Sequence, residues 1–225
     1  MRKQWTAGPN SVIDIYMAHE KPFDEIEGNR LFYAGIYYTV KSLGRLLLGL
    51  RITGQENIPS SGPAIVAADH HDMLDIFMLP VAIPHRHISM VARKEIYDYP
   101  VIGPMFRRWD TISFDRDKME RESYREIKER LAANRLVGIF PGKTRTAGPG
   151  IGEFDPAVAG YAMYSNVVTI PTAISGLDEA FTRRHRWNAR VDFGEAIGPP
   201  CNKQDQGRYM FELTTSVRAL SKRKT

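Results

Sequence analysis

Two histidines and three aspartates fall within seven residues, Asp69-His70-His71-Asp72-Met73-Leu74-Asp75. An imidazole beside a carboxylate is the pairing that general base chemistry needs at neutral pH. The ring takes a proton, while the carboxylate fixes its tautomer and steadies the imidazolium that forms. His70 with Asp75, or His71 with Asp75, can supply that pair, and the residues alone leave the choice open. Two other readings compete. Asp72 and Asp75 have the spacing of a capping box, so the segment can simply start a helix. A helix N-terminus also favours a neutral imidazole, which makes cap and base compatible. His70, His71, Asp75, His85 and His87 offer enough donors for a metal, but the helical spacing of two histidines seen in zinc proteases is missing.

Such chemistry needs a rigid mount. The segment leaves a short apolar run, Ala64–Ala68, and enters another over residues 76–79, the pattern of a buried strand passing through a loop into a helix. Strand-like and helix-like stretches then alternate. A helix is expected over 74–81, ending before Pro84, with strands at 88–92 and 111–114. A charged helix follows over 117–133, with Glu126 and Arg130 spaced for an exposed ion pair, then a strand at 136–140 ended by Pro141-Gly142. A short helix around Tyr161, Ala162 and Tyr164, strands at 167–170 and Arg190–Phe193, and a helix over 209–221 complete the series. The alternation predicts the α/β class: a single layered domain with a mostly parallel or mixed central sheet flanked by helices. Pro59-Ser60-Ser61-Gly62 marks a loop over 54–62. The expected division is an N-terminal polar extension with an amphipathic helix over residues 1–53, and one globular domain over 54–225.

At 225 residues, 43% of them apolar, the chain can bury a sizeable core. Its formal net charge of +5 favours anionic partners: a membrane surface, a phosphorylated substrate, an acidic carrier protein or nucleic acid. Basic and aromatic residues are not interleaved in any recognition module, which counts against nucleic acid. The single cysteine, Cys201, excludes an internal disulfide, and residues 1–28 carry no apolar signal core, so a cytoplasmic protein is expected. No uncharged run reaches the length of a membrane span. Residues 31–50 come nearest, broken by Lys41 and Arg45. In helical projection Arg30, Ala34, Lys41 and Arg45 share one face, while Leu43, Leu46, Leu47 and Leu50 lie elsewhere. That pattern fits a helix lying in a membrane interface, or one packed on the domain with its charged face in water.

Gly142-Lys143-Thr144 has the form of a P-loop ending, but the earlier glycine that a P-loop needs falls on Val137. What survives is a glycine turn carrying Lys143, Thr144 and Arg145, able to hold a phosphate or to stand as a solvated basic loop. Arg116 follows a short strand in Phe114-Asp115-Arg116-Asp117. No Gly-x-Ser-x-Gly elbow is present, and Cys201 sits beside Pro199-Pro200 without an adjacent histidine, so a covalent acyl-enzyme finds no nucleophile.

Taken in order, these pieces resemble the glycerolipid acyltransferase family, which includes the 1-acyl-glycerol-3-phosphate acyltransferases. His70 and Asp75 match its His-x4-Asp block after a strand. Ala92-Arg93-Lys94-Glu95, with Pro100 and Gly103, is similar to the stretch before the second block. Ile112-Ser113-Phe114-Asp115-Arg116 is similar to the second block itself, with Arg116 at its arginine. Phe140-Pro141-Gly142-Lys143-Thr144-Arg145 resembles the third, Phe-Pro-Glu-Gly-Thr-Arg, and Val168-Thr169-Ile170-Pro171 the fourth, a strand closing on proline. The likeness runs from about residue 55 to residue 199. Gly142 and Lys143 stand where the family has glutamate and glycine, and Asp69 where its first block usually begins with asparagine.

The resemblance implies acyl transfer from a thioester, acyl-CoA or an acyl carrier protein, to a hydroxyl of a lysophospholipid-like acceptor such as 1-acyl-glycerol-3-phosphate. It implies His70 as general base with Asp75 orienting it, and Arg116, Lys143, Thr144 and Arg145 on the acceptor's phosphate. No cofactor and no metal is implied. An anionic membrane surface is the implied partner, with the protein peripheral on the inner face of the cell membrane, and 54–225 becomes the acyltransferase domain. Two alternatives stay open. The altered third block fits a non-catalytic or altered-specificity acyl- or carrier-binding protein on the same scaffold. His-His-x3-Asp is also similar to the motif of peptide-synthetase condensation domains, where His71 would be the base, although those domains are far longer and the motif's following glycine is Ile76 here.

Overall fold

The computed structural model describes residues 38–39, 42, 49–71, 74–83, 86–100, 103–104, 106, 110–114, 121–142, 153–176 and 189–222. Strands occupy Arg51–Thr53 (β1), Ala64–Ala68 (β2), Ile88–Arg93 (β3), Ile112–Phe114 (β4), Leu136–Ile139 (β5), Val168–Ser175 (β6) and Arg190–Phe193 (β7). Helices occupy Asp75–Ala82 (α1), Arg121–Ala132 (α2), Ala157–Ser165 (α3) and Gln206–Ser221 (α4). The strands form one seven-stranded sheet in the order β1-β7-β6-β2-β5-β3-β4. Every neighbouring pair is parallel except β6 and β7. The sheet is thus mixed and mainly parallel with helices on both faces, as the alternation of strands and helices predicts.

The apolar run ahead of the histidines explains the layering. β2 is buried at every position, and a strand apolar on both faces must be covered on both. Ala64, Val66 and Ala68 join one core with Ile76, Leu79 and Ile83 from α1 and its end. Ile65 and Ala67 join a second core with Ile127 and Leu131 of α2, Val158 of α3, and Leu213 and Val217 of α4. Among the described residues, α1 and the helical residue Phe106 therefore cover the first face, and α2, α3 and α4 cover the other.

Three features depart from the expectations. β1 is a strand that sequence patterning did not find; it pairs in parallel with β7, and the Thr53 hydroxyl donates to the Asp192 carboxylate. The sheet so takes in residues ahead of position 54. Gly54 then turns the chain at φ 75°, where an added Cβ would lie 1.9 Å from the Phe193 carbonyl oxygen, so only glycine fits. Second, β6 does not close at Pro171 but runs on to Ser175. The Thr169 and Ile197 backbones exchange hydrogen bonds, and the Gly194 N–H donates to the Pro171 carbonyl at 2.8 Å. The edge where proline lacks its N–H therefore faces the gap between that bridge and the β7 ladder, and pairing with β2 loses no donor. Third, Arg130, spaced to meet Glu126, reaches Asp110 at 2.6 Å.

Of the amphipathic segment at 31–50, Tyr38, Thr39 and Ser42 are helical and exposed, Leu50 is buried, and the rest apart from Gly49 lies outside the described residues. Among the described residues no helix is long and apolar enough to cross a membrane.

Candidate active site

Because β2, β3, β4, β5 and β6 run parallel, their C-terminal ends share one edge of the sheet. That edge is where open α/β sheets hold ligands, since the loops leaving the strands diverge there. The chain leaves β2 through Asp69, His70 and His71 and enters α1 at Asp75. It leaves β5 through Phe140 and Pro141, and β4 ends at Phe114 on the same edge.

Asp75 is the first residue of α1, buried where the positive end of the helix favours an anion. The helix begins two residues later than the capping-box spacing suggests: its cap residue is Leu74, whose own side chain makes no capping hydrogen bond. The Asp75 carboxylate turns back toward the loop instead. Its Oδ2 accepts the His71 backbone N–H at 2.7 Å and lies 3.1 Å from His70 Nδ1. A carboxylate only accepts, so the proton of neutral His70 sits on Nδ1 and the lone pair on Nε2. The His70 ring stacks on Phe140, with centroids 4.5 Å apart and planes 28° apart. It keeps 21% of its surface exposed, against 2% for the Asp75 side chain.

His71 turns the other way. Its Nε2 lies 3.2 Å from Oδ2 of Asp69. Asp69 is buried, and its Oδ1 accepts the Ile174 N–H at 2.7 Å while Oδ2 meets the Ser221 hydroxyl at 3.2 Å. The two histidines, equal candidates for Asp75 in the sequence, thus take different carboxylates.

A further histidine–carboxylate pair lies at the opposite edge. His87, considered above as a metal donor, precedes β3 and is 3.7 Å from Asp110, which precedes β4. The same carboxylate takes Arg130 at 2.6 Å, Arg135 at 2.7 Å and the Ser89 hydroxyl at 2.8 Å. Burial pushes the Asp110 carboxyl up, but the adjacent His87 ring, the hydrogen bond from Ser89 and the Arg130 charge outweigh it and hold the group well below the usual carboxylate range. His87 therefore belongs to a different cluster from His70. Among the described residues no group of three or more His, Cys, Asp or Glu is placed to hold a metal ion.

Of the residues expected at the site, the structure brings His70 and Asp75 together. Arg116, Lys143, Thr144 and Arg145 lie outside the described residues. Phe114 and Gly142, their nearest described neighbours, are on the His70 edge, and Gly142 is bridged to Phe154 beside a 2.8 Å hydrogen bond from Asp155 N–H to the Pro141 carbonyl. Sequence reasoning missed the Asp69–His71 pair, the Phe140 stack and Ser221. Phe140 and Asp69 did carry signals, as the head of the third block and as a departure from the first; Ser221 carried none.

The acyltransferase family model matches residues 49–175, more than half of the chain. A 1-acyl-sn-glycerol-3-phosphate acyltransferase from Bacillus subtilis is 28% identical over 99 residues, which are 44% of this chain and 50% of that protein. One from Neisseria gonorrhoeae is 26% identical over 162 residues, 71% of this chain and 60% of that protein. The chain thus spans only 50% to 60% of the length of these relatives. The crystal structure of the 1-acyl-sn-glycerophosphate acyltransferase from Thermotoga maritima aligns with a TM-score of 0.67 at 17% identity, covering 89% of this chain and 86% of that one. That likeness is one of fold.

Proposed function

The chain belongs to the acyltransferase family, and from that premise we propose that it moves a fatty acyl group from a thioester to a hydroxyl of a lysophospholipid-like acceptor. Acyl-CoA or an acyl carrier protein is the donor, and 1-acyl-glycerol-3-phosphate is the first acceptor to try. The observation that carries this reading is the His70–Asp75 pair, 3.1 Å apart with the ring accessible and the carboxylate buried, at the ligand edge of the sheet. His70 Nε2 takes the proton of the acceptor hydroxyl as that oxygen attacks the thioester carbonyl. Asp75 holds the Nδ1 proton and steadies the imidazolium. The tetrahedral intermediate expels the thiolate, which takes the proton from Nε2, so the products are the ester and a free thiol. No cofactor is consumed.

In this reading Arg116, Lys143, Thr144 and Arg145 bind the acceptor's phosphate by charge and hydroxyl contacts. Lys143 adds a cation where the family has glycine, which favours a phosphate-bearing acceptor. The net charge of +5 suits an anionic membrane surface, where lysophospholipids reside, and so a peripheral place on the inner face of the membrane. His71 as the base gains no support from a ring that faces Asp69.

The test is to supply acyl-CoA, or an acylated carrier protein, with a panel of phosphate-bearing and phosphate-free acceptors and to follow free thiol. Release is expected with phosphate-bearing acceptors, and to fall by about 10²- to 10⁴-fold in His70→Ala. Near-normal turnover in that variant would remove the dyad from the mechanism. Saturable acyl binding without thiol release from any pairing would favour a non-catalytic acyl-binding protein.

A further inference from the structure

The proposed reaction uses His70 and Asp75 and leaves Asp69, one residue from the base, without a part. Asp69 is a buried carboxylate, 2% exposed. Its side-chain partners among the described residues are the Ile174 N–H on Oδ1 at 2.7 Å, and the Ser221 hydroxyl and His71 Nε2 on Oδ2, each at 3.2 Å. The Ile174 N–H can only donate, and a carboxylate can only accept. Three donors on one anion satisfy the buried charge best, which puts a proton on His71 Nε2. The same histidine has a second attachment. Its backbone N–H donates at 2.7 Å to Asp75 Oδ2, the oxygen that faces His70 Nδ1.

We infer that Asp69 and His71 are positioning residues: Asp69 grips the His71 ring, and the His71 backbone then fixes the Asp75 oxygen that orients His70. The inference rests on His70 as the base. It makes the second histidine a strut. The grip is anchored far along the chain, at Ile174 in β6 and at Ser221, the last residue of α4, which lie 105 and 152 residues from Asp69. The loop that carries the base is therefore held by the strand beside it and by the end of the C-terminal helix.

An asparagine at position 69 separates this from ordinary packing. It has the same shape but a single acceptor oxygen, which the Ile174 N–H must claim. Its NH₂ then points at His71 Nε2, and that nitrogen can accept only by giving up its proton. Ser221 adjusts, because a hydroxyl accepts as readily as it donates.

The experiment is ¹⁵N NMR of histidine-labelled full-length protein at neutral pH, with the His71 signals identified by their loss in His71→Gln, together with steady-state thiol release. Wild type is expected to carry a proton on His71 Nε2, and Asp69→Asn to lack it. Asp69→Asn should lower kcat by about tenfold to a hundredfold, the usual cost of losing a group that orients a site residue, with KM for the acceptor within about threefold. His71→Gln keeps the backbone N–H and sets an amide N–H near the place of Nε2, so it should stay within about tenfold of wild type. An unprotonated Nε2 in wild type, or one unchanged by Asp69→Asn, overturns the inference. So does a His71→Gln enzyme as inactive as His70→Ala, which would make His71 the base. If Asp69→Asn does not fold, the wild-type spectrum and His71→Gln still decide. The His70 reading fails on its own terms, through turnover in His70→Ala, whatever the state of His71.

Discussion

Two histidine–aspartate pairs sit at opposite ends of the same parallel strands, and they are built the opposite way round. At the C-terminal edge the aspartate is buried and the histidine reaches the surface, 2% against 21% for Asp75 and His70. At the N-terminal edge the histidine is buried at 1% and the aspartate stands at 19%. The first arrangement offers a ring nitrogen to an incoming molecule and shields the carboxylate that orients it. The second offers nothing of the ring; Asp110 draws Arg130, Arg135, Ser89 and His87 onto one carboxylate and closes the seam between α2, β3 and β5. Residue type and distance alone do not tell a reactive pair from a structural one. The direction in which the pair faces separates the proposed base from the structural cluster.

Charge removal at the two aspartates puts that contrast under the most strain. Asp75→Asn should lower kcat by about 10²- to 10³-fold, because the amide no longer holds His70 in its Nδ1–H tautomer. Asp110→Asn should leave thiol release within about threefold and reduce unfolding free energy by about 2–3 kcal/mol, since two arginines lose their counter-charge. Thiol release and urea unfolding on both variants decide it; equal losses of activity would erase the difference between the edges.

Acid stability sharpens the same contrast. Held well below its usual range of about 4, the Asp110 carboxyl takes up a proton less readily in the folded protein than in the unfolded chain. Its contribution is whole above about pH 5 and is lost as pH falls toward the lowered value. The wild-type stability curve should therefore drop more steeply below pH 5 than that of Asp110→Asn, and parallel curves in urea titrations would count against this linkage. The smallest effect is expected at Phe140. Phe140→Leu removes the ring under His70 and should lower kcat about twofold to tenfold, in line with one aromatic contact, with little change in Tm. Turnover at the wild-type level would show that the stack does not steady the base.

Much of the frame was legible because it is written locally. β2, β3, β7 and α1 fall within a residue or so of their expected bounds, since apolar runs mark the first two and α1, and strict alternation marks Arg190–Phe193. β1 was not legible: three residues beginning with Arg51 carry no periodicity, and only pairing with β7 makes them a strand. The continuation of β6 through Pro171 depends on what lies beside it, which no single segment states. The site divides in the same way. His70, His71 and Asp75 lie within six residues and stand out as a group, whereas Asp69 meets partners more than a hundred residues away, and those pairings exist only once the sheet has formed. Which carboxylate each histidine takes is likewise a fact of the turn into α1, invisible in the order of letters.

β2 is the fourth of seven strands and carries His70 on its end; β4, three residues long at the margin of the sheet, leads into Arg116. Central strands open only with the whole domain, while short marginal ones exchange and fray at little cost. The proposed base so follows a strand that yields last, whereas the strand ahead of the proposed phosphate arginine is one that yields early. In the proposed reaction, sequence drift at the rim can retune which acceptor is held while the acid–base step stays intact, which is a route by which one scaffold diversifies its substrates.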